Sequence, residues 1–187
     1  MHTHISDELI EMARHDPEVR EQLLNEGTQS LGYNPDMERV HRKNAARLEE
    51  IIDAIGYPTI SKVGKAASEA AWLIVQHAIS EPALMRRYYV LLSQVPEGIN
   101  PQNLAFLHDR ICYFEGRPQR YGTQFDDREM YPVEDKEEMM RLRNELDMSA
   151  HDDGLIVDVK NTSSQDNLHP VIASSTHGAK MLDGYNV

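Results

Sequence analysis

From Asp36 to Ile55 the chain carries Met37, Val40, Leu48, Ile51, Ile52 and Ile55 at helical steps of three and four. A stripe with that period belongs to an amphipathic helix, which has to bury it against other elements. The partners the sequence offers are helices as well. Ser6 to Arg14 places Leu9, Ile10 and Ala13 on one face, and Asp16-Pro17 then reads as a restart. There Asp16 is expected as N-cap and Pro17 at the first helical position, followed by Val19, Leu23 and Leu24 up to Gly27. Gly56 and Pro58 close the Asp36 helix. Val63 to Ala78 forms an alanine-rich helix suited to close packing, Glu81-Pro82 opens another, and Pro101 opens a third that Gly116 stops. Asp135 to Met148 is the last, with Met139, Leu142 and Leu146 on one side. The expected fold is therefore all-α: one compact bundle of about six to eight helices over residues 1–148.

Two segments depart from this period. Arg117 to Val133 holds Pro118, Gly122 and Pro132 with several aromatics, and reads as an ordered loop with a short extended piece. From 149 to 187 the composition turns to Asp, Ser, Asn, His and Gly, which describes an acidic polar tail, either flexible or docked through Leu155-Ile156-Val157 or Val171-Ile172.

Charge narrows the range of partners. The 187 residues carry 31 acidic and 19 basic side chains, a formal charge of −12. Phosphate-tracking surfaces need clustered Lys and Arg, so nucleic acid is not expected as a partner, and neither is an anionic membrane surface. No apolar run approaches the ~20 residues of a membrane span, and the N-terminus has no secretory pattern, so a soluble, cytoplasmic protein is expected. Cys112 is the single cysteine and excludes an intrachain disulfide or a cysteine-built zinc site. Oligomeric state is not legible in the sequence.

Three polar clusters fall where the pattern predicts burial. Gln76 and His77 end the alanine-rich helix, with His77 on the face of Ala70 and Ile74. His108-Asp109-Arg110 lies on the helix after Pro101, with His108 between Leu104 and Ile111 on the apolar stripe. The loop contributes Gln119, Arg120, Tyr121, Gly122, Thr123 and Gln124, a set of amide, guanidinium, phenol and hydroxyl groups around a glycine. Asn44 interrupts the apolar stripe between Val40 and Leu48, and a buried amide there needs partners. Neighbouring helical residues do not face each other, so a catalytic pair is expected to join His77 to Asp109, or His108 to a group elsewhere, rather than His108 to Asp109.

No phosphate loop, dinucleotide fingerprint, nucleophile elbow or His-Glu-x-x-His helix is present. No metal ligand is assigned: His2 and His4 lack further ligands, and a His77, His108 and Asp109 set has no ligand-spacing motif behind it.

The matching pieces, in order, are Asn44-Ala45-Ala46-Arg47-Leu48, Gly56-Tyr57-Pro58-Thr59, Ala70-Ala71-Trp72-Leu73-Ile74-Val75-Gln76-His77-Ala78, Leu107-His108-Asp109-Arg110 and Gly116 to Gln124. Together they resemble the bacterial DUF6624 family, proteins of unknown function, over about residues 30 to 148. The pattern often has Trp where this chain has Tyr57, and Asp near the position of His41. The resemblance implies no activity, but it implies that the three clusters converge on one site.

The function expected is acid–base chemistry on a small polar or anionic substrate bearing amides or carboxylates, with no cofactor required. His77, Asp109 and Tyr121 would be catalytic, and Asn44, Gln76, Arg110, Gln119, Thr123 and Gln124 would bind substrate. The alternatives are a non-catalytic binding or interaction module, immunity-like or regulatory, and a buried polar network that only sets helix register.

Overall fold

Proline and glycine punctuate the helices largely where the sequence predicts. The structure, a computed structural model, describes residues 2–27, 33–95, 98–126 and 129–161. The expected tail beyond 161, with Val171-Ile172, lies outside the described residues. The fold is all-α, with seven α-helices among the described residues. The chain divides into two compact units, Met1–Asn103 and Leu104–Val187, and the division falls inside a helix, whereas the sequence pattern places a boundary at 148.

The first unit holds α1 (Thr3–Asn25), α2 (Pro35–Ile55), the single-turn α3 (Ile60–Val63), α4 (Lys65–His77), α5 (Pro82–Ser93) and the start of α6 (Pro101–Phe114). Asn34 caps α2 by accepting from the amides of Asp36 at 2.8 Å and Met37 at 3.4 Å, and Pro35 stands at the first position. Gly56 ends α2 with φ at 69°, a conformation costly to a side-chain-bearing residue. The expected helix from Val63 is broken by Gly64, so α3 and α4 are separate. Leu9, Leu48, Val75, Tyr88 and Leu92 are almost fully buried and form the core.

The expectation of two helices meeting at Asp16-Pro17 is corrected: α1 is continuous through Pro17. Pro17 lacks the N–H that would bond the Ala13 carbonyl, a local defect that normally ends a helix. Tertiary contacts outweigh it here, because Ser6, Leu9 and Asp16 form one buried face leading up to the proline. Asp16 is not a cap; its side chain points inward.

A register of side-chain contacts sets α1 and α2 antiparallel. Arg47 pairs with Glu8, Asn44 Nδ2 donates to the Met12 carbonyl at 3.3 Å, and His41 meets Asp16. Successive rungs climb α1 as they descend α2. α1 is also pinned to α3, by Ser6 Oγ donating to the Val63 carbonyl at 2.7 Å, and to α4, by His77 meeting Asp16.

The second unit holds the rest of α6, a two-residue hairpin of β1 (Phe125–Asp126) with β2 (Glu129–Met130), and α7 (Lys136–Glu145), which Asp135 caps. Met130, Val133 and Met139 form its small core, with Phe125 and Ile156 packed on it. The Val133 amide donates to the Val157 carbonyl at 2.9 Å, and the Val159 amide donates to the Val133 carbonyl at 3.0 Å. The described start of the acidic segment is thus docked.

Candidate functional site

Asp16 sits where α1 meets both α2 and α4, and its Oδ2 is shared by two imidazoles. His77 Nδ1 lies 2.7 Å from it and His41 Nε2 2.8 Å. An ionised carboxylate only accepts, so each histidine presents its proton there. The His77 contact has hydrogen-bond geometry, whereas His41 Nε2 has no in-line acceptor despite the short distance. The Tyr33 hydroxyl bonds His41 Nδ1, and with the His41 proton on Nε2 the hydroxyl is the donor. The two imidazole rings lie 5.1 Å apart, tilted by 46°.

Burial divides the roles. The side chains of Asp16 and His41 are 7% and 1% exposed, while His77 is 20% exposed. Burial opposes the charge on Asp16, but the bonds from His41 and His77 outweigh it and hold the carboxyl well below its ordinary value. Burial pushes the Tyr33 phenol up, keeping it a neutral donor. Beside this cluster Gln76 is 4% exposed, and its Nε2 finds no acceptor among the described residues. One helical turn away on the α1–α2 seam lies a cleft of about 480 Å³ lined by Glu8, Met12, Lys43, Asn44, Arg47 and Glu50. Asn44 is therefore a wall of this cleft.

In the second unit Asp109, fully buried on α6, organises the 117–124 loop. Its oxygens accept from the amides of Arg120 at 2.8 Å, Tyr121 at 3.0 Å and Thr123 at 3.1 Å, from Thr123 Oγ1 at 3.1 Å, and from His108 Nδ1 at 3.1 Å. Gln119, also fully buried, closes the same loop: its Oε1 accepts from the Gln124 amide at 2.8 Å, and its Nε2 donates to the carbonyls of Gln124 at 3.0 Å and Tyr131 at 2.5 Å. Gln124 Nε2 donates to Thr123 Oγ1 at 3.0 Å. Arg143 donates from below to the carbonyls of Tyr121 at 2.7 Å and Ser149 at 2.8 Å. Tyr121 packs on the edge of His108, with ring centroids 5.7 Å apart. The Asp109 bond, reinforced by Cys112 against the effect of burial, raises His108 to about 9. Arg110, on the same helix, is partly buried.

The structure thus gathers Asp109, Gln119, Tyr121, Thr123 and Gln124 in one hydrogen-bonded loop, and Gln76, His77 and Asn44 in the other unit. The acid that orients His77 is Asp16, where the sequence pattern points to Asp109, whose oxygens are occupied by the amides of its own loop. Asp16, His41 and Tyr33 escape the sequence pattern as site residues. Two signals for them are present in it: Asp16 stands seven residues after Leu9 on the buried face of α1, and His41 lies three before Asn44 on the interrupted stripe of α2.

A family model described as a family of unknown function (DUF6624) matches residues 3–153. No curated protein and no solved structure matches the chain.

Proposed function

The chain belongs to the DUF6624 family, and we propose that it is an enzyme carrying out acid–base chemistry on a small polar or anionic substrate, centred on Asp16, His41 and His77. The observation that carries this is one buried carboxylate oxygen held by two imidazoles, of which only His77 reaches solvent appreciably. With Nδ1 on Asp16, proton transfer at His77 falls to Nε2, and the carboxylate stabilises the imidazolium that forms. The cleft along the α1–α2 seam supplies Lys43 for an anionic group and Asn44 for an amide or carboxylate, while Arg47 in the same wall is held by Glu8 and Glu50. In this proposal Asp109 is a positioning residue of the 117–124 loop and carries no proton transfer of its own. A cytoplasmic location accompanies the proposal, supported by a lone thiol, Cys112, that has no intrachain partner for a disulfide.

The test is a thermal-shift screen of wild type and His77→Ala against a panel of metabolites, followed by turnover assays on the hits. A compound that stabilises wild type, fails to stabilise His77→Ala, and is turned over at a rate that falls at least about 100-fold in the variant supports the proposal. Hits that stabilise both proteins equally and are not turned over point to a non-catalytic binding module instead.

A further inference from the structure

Asp16 Oδ2, His41 Nε2 and His77 Nδ1 lie within 4.8 Å of one another, and they are the one group of three such donors among the described residues. We infer that these three side chains bind a divalent first-row transition-metal ion, in the manner of zinc, with a coordination position open toward the His77 side.

Two imidazoles and one carboxylate are the donor set of mononuclear catalytic zinc and iron(II) sites, which keep at least one position for water or substrate. Oxygen-seeking cations such as magnesium and calcium are poorly matched by two nitrogen donors. Ligands about 2.1 Å from a shared ion stand about 3.0–3.4 Å apart. The present separations from Oδ2, 2.7 and 2.8 Å, reach that range with small side-chain rotations. The outer partner is also in place. Tyr33 meets the remaining nitrogen of His41, and when Nε2 takes the ion the ring proton passes to Nδ1, which then donates to the Tyr33 hydroxyl as metal-bound histidines do to their outer partners. His41 Nε2 is deeply buried with no in-line hydrogen-bond partner, so with the ring proton on Nδ1 its lone pair faces the other two donors and can take an ion between them. The carboxylate offsets part of the ion's charge. The three ligands come from α1, α2 and α4, so binding ties these helices together.

This inference rests on the reading of the cluster as the functional site. With the ion bound, a metal-held water replaces His77 Nε2 as the group that exchanges protons.

The experiment strips the untagged full-length protein with a chelator and titrates it with Zn²⁺ and, separately, Co²⁺, by calorimetry and visible absorption. One equivalent is expected to bind, with d–d bands for Co²⁺. Affinity is expected to fall about tenfold in Tyr33→Phe and by more than about 100-fold in His77→Ala. The double variant His2→Ala/His4→Ala controls for incidental chelation at the N-terminus and is expected to bind as wild type does. Zinc-edge X-ray absorption on wild type counts the imidazoles without any substitution, and two are expected. Absence of stoichiometric binding, unchanged affinity in His77→Ala, loss of binding in the His2/His4 variant, or fewer than two imidazoles on the metal overturns the inference. Turnover that persists after chelation yet falls with His77→Ala removes the metal site and keeps the enzyme. Metal binding with no turnover of any hit keeps the site and removes the enzyme.

Discussion

Among the described residues each unit buries one aspartate beside a histidine, and the two aspartates differ in what donates to them. Asp109 accepts mainly from backbone amides of a loop close to it in sequence. Among the described residues Asp16 accepts from the His77 imidazole and has the His41 imidazole 2.8 Å away, both carried by other helices. A backbone N–H is a donor under all conditions. An imidazole nitrogen changes from donor to acceptor with a tautomer shift and can take a metal ion. The first arrangement is a structural clasp; the second can change state without unfolding anything.

Substituting the two aspartates alike separates these roles. Asp109→Asn turns an amide NH₂ against loop amides that cannot become acceptors. The expected loss is about 3–5 kcal/mol, larger than for any other substitution below, because a buried hub is left mispaired. Asp16→Asn meets imidazoles that can switch tautomer to accept, and is expected to lose only about 1–2 kcal/mol while losing the ligand or metal response. Urea unfolding of both variants measures the pair. Equal losses would mean that Asp16 is as structural as Asp109.

Arg143 extends the test within the second unit. It is 6% exposed and donates to the carbonyls of Tyr121, Gly122 and Ser149. Arg143→Ala takes the donor from the Tyr121 and Ser149 carbonyls, while Gly122 keeps the bond from His151 Nε2, and is expected to cost about 2–3 kcal/mol. Hydrogen exchange should show the damage in residues 119–124 and leave α1, α2 and α4 protected. Loss of protection throughout α1 would remove the contrast between the two units.

Helix boundaries are legible in the sequence because proline and glycine act locally: Pro35, Gly56, Pro82 and Pro101 stand where the elements start or stop. Asn44 is legible too, since a polar residue inside an apolar stripe is a one-dimensional signal. Asp16 misleads for the same reason. Asp-Pro is a strong local start signal, and only the packing of α1 on α2 and α4 overrides it. The pairing of Asp16 with His41 and His77 depends on how three helices meet, which periodicity does not encode. The clasp at Asp109 is half legible: its members stand out as polar groups, but hydrogen bonding to backbone amides leaves no mark in side-chain spacing.

Pro17→Ala reads that override directly. Restoring the amide lets the Ala13 carbonyl find its helical donor, and stability is expected to rise by about 1 kcal/mol. If the irregularity at Pro17 is what aims Asp16 inward, the variant instead loses stability together with the Asp16–His77 contact, which the His77 ring proton shifts would report by NMR.

The smallest effect expected is a pH dependence confined to the second unit. The Asp109 bond, with a contribution from Cys112, raises His108 from an ordinary 6.5 to about 9 in the folded protein. A raised histidine stabilises the fold fully below its unfolded value, and that contribution fades as pH climbs through the folded one. The window is therefore pH 6.5 to about 9, with stability falling across it. His108 is 24% exposed, so solvent screens part of the interaction and about 1 kcal/mol is expected. His108→Gln should flatten this slope in unfolding curves taken from pH 6 to 9.5, values about half a unit outside the window. Asp16→Asn should leave the slope as it is, because His108 and Asp109 belong to the other unit. A slope that survives His108→Gln would assign the dependence to another group. One that vanishes in Asp16→Asn would assign the dependence to the Asp16 cluster rather than to the clasp at Asp109.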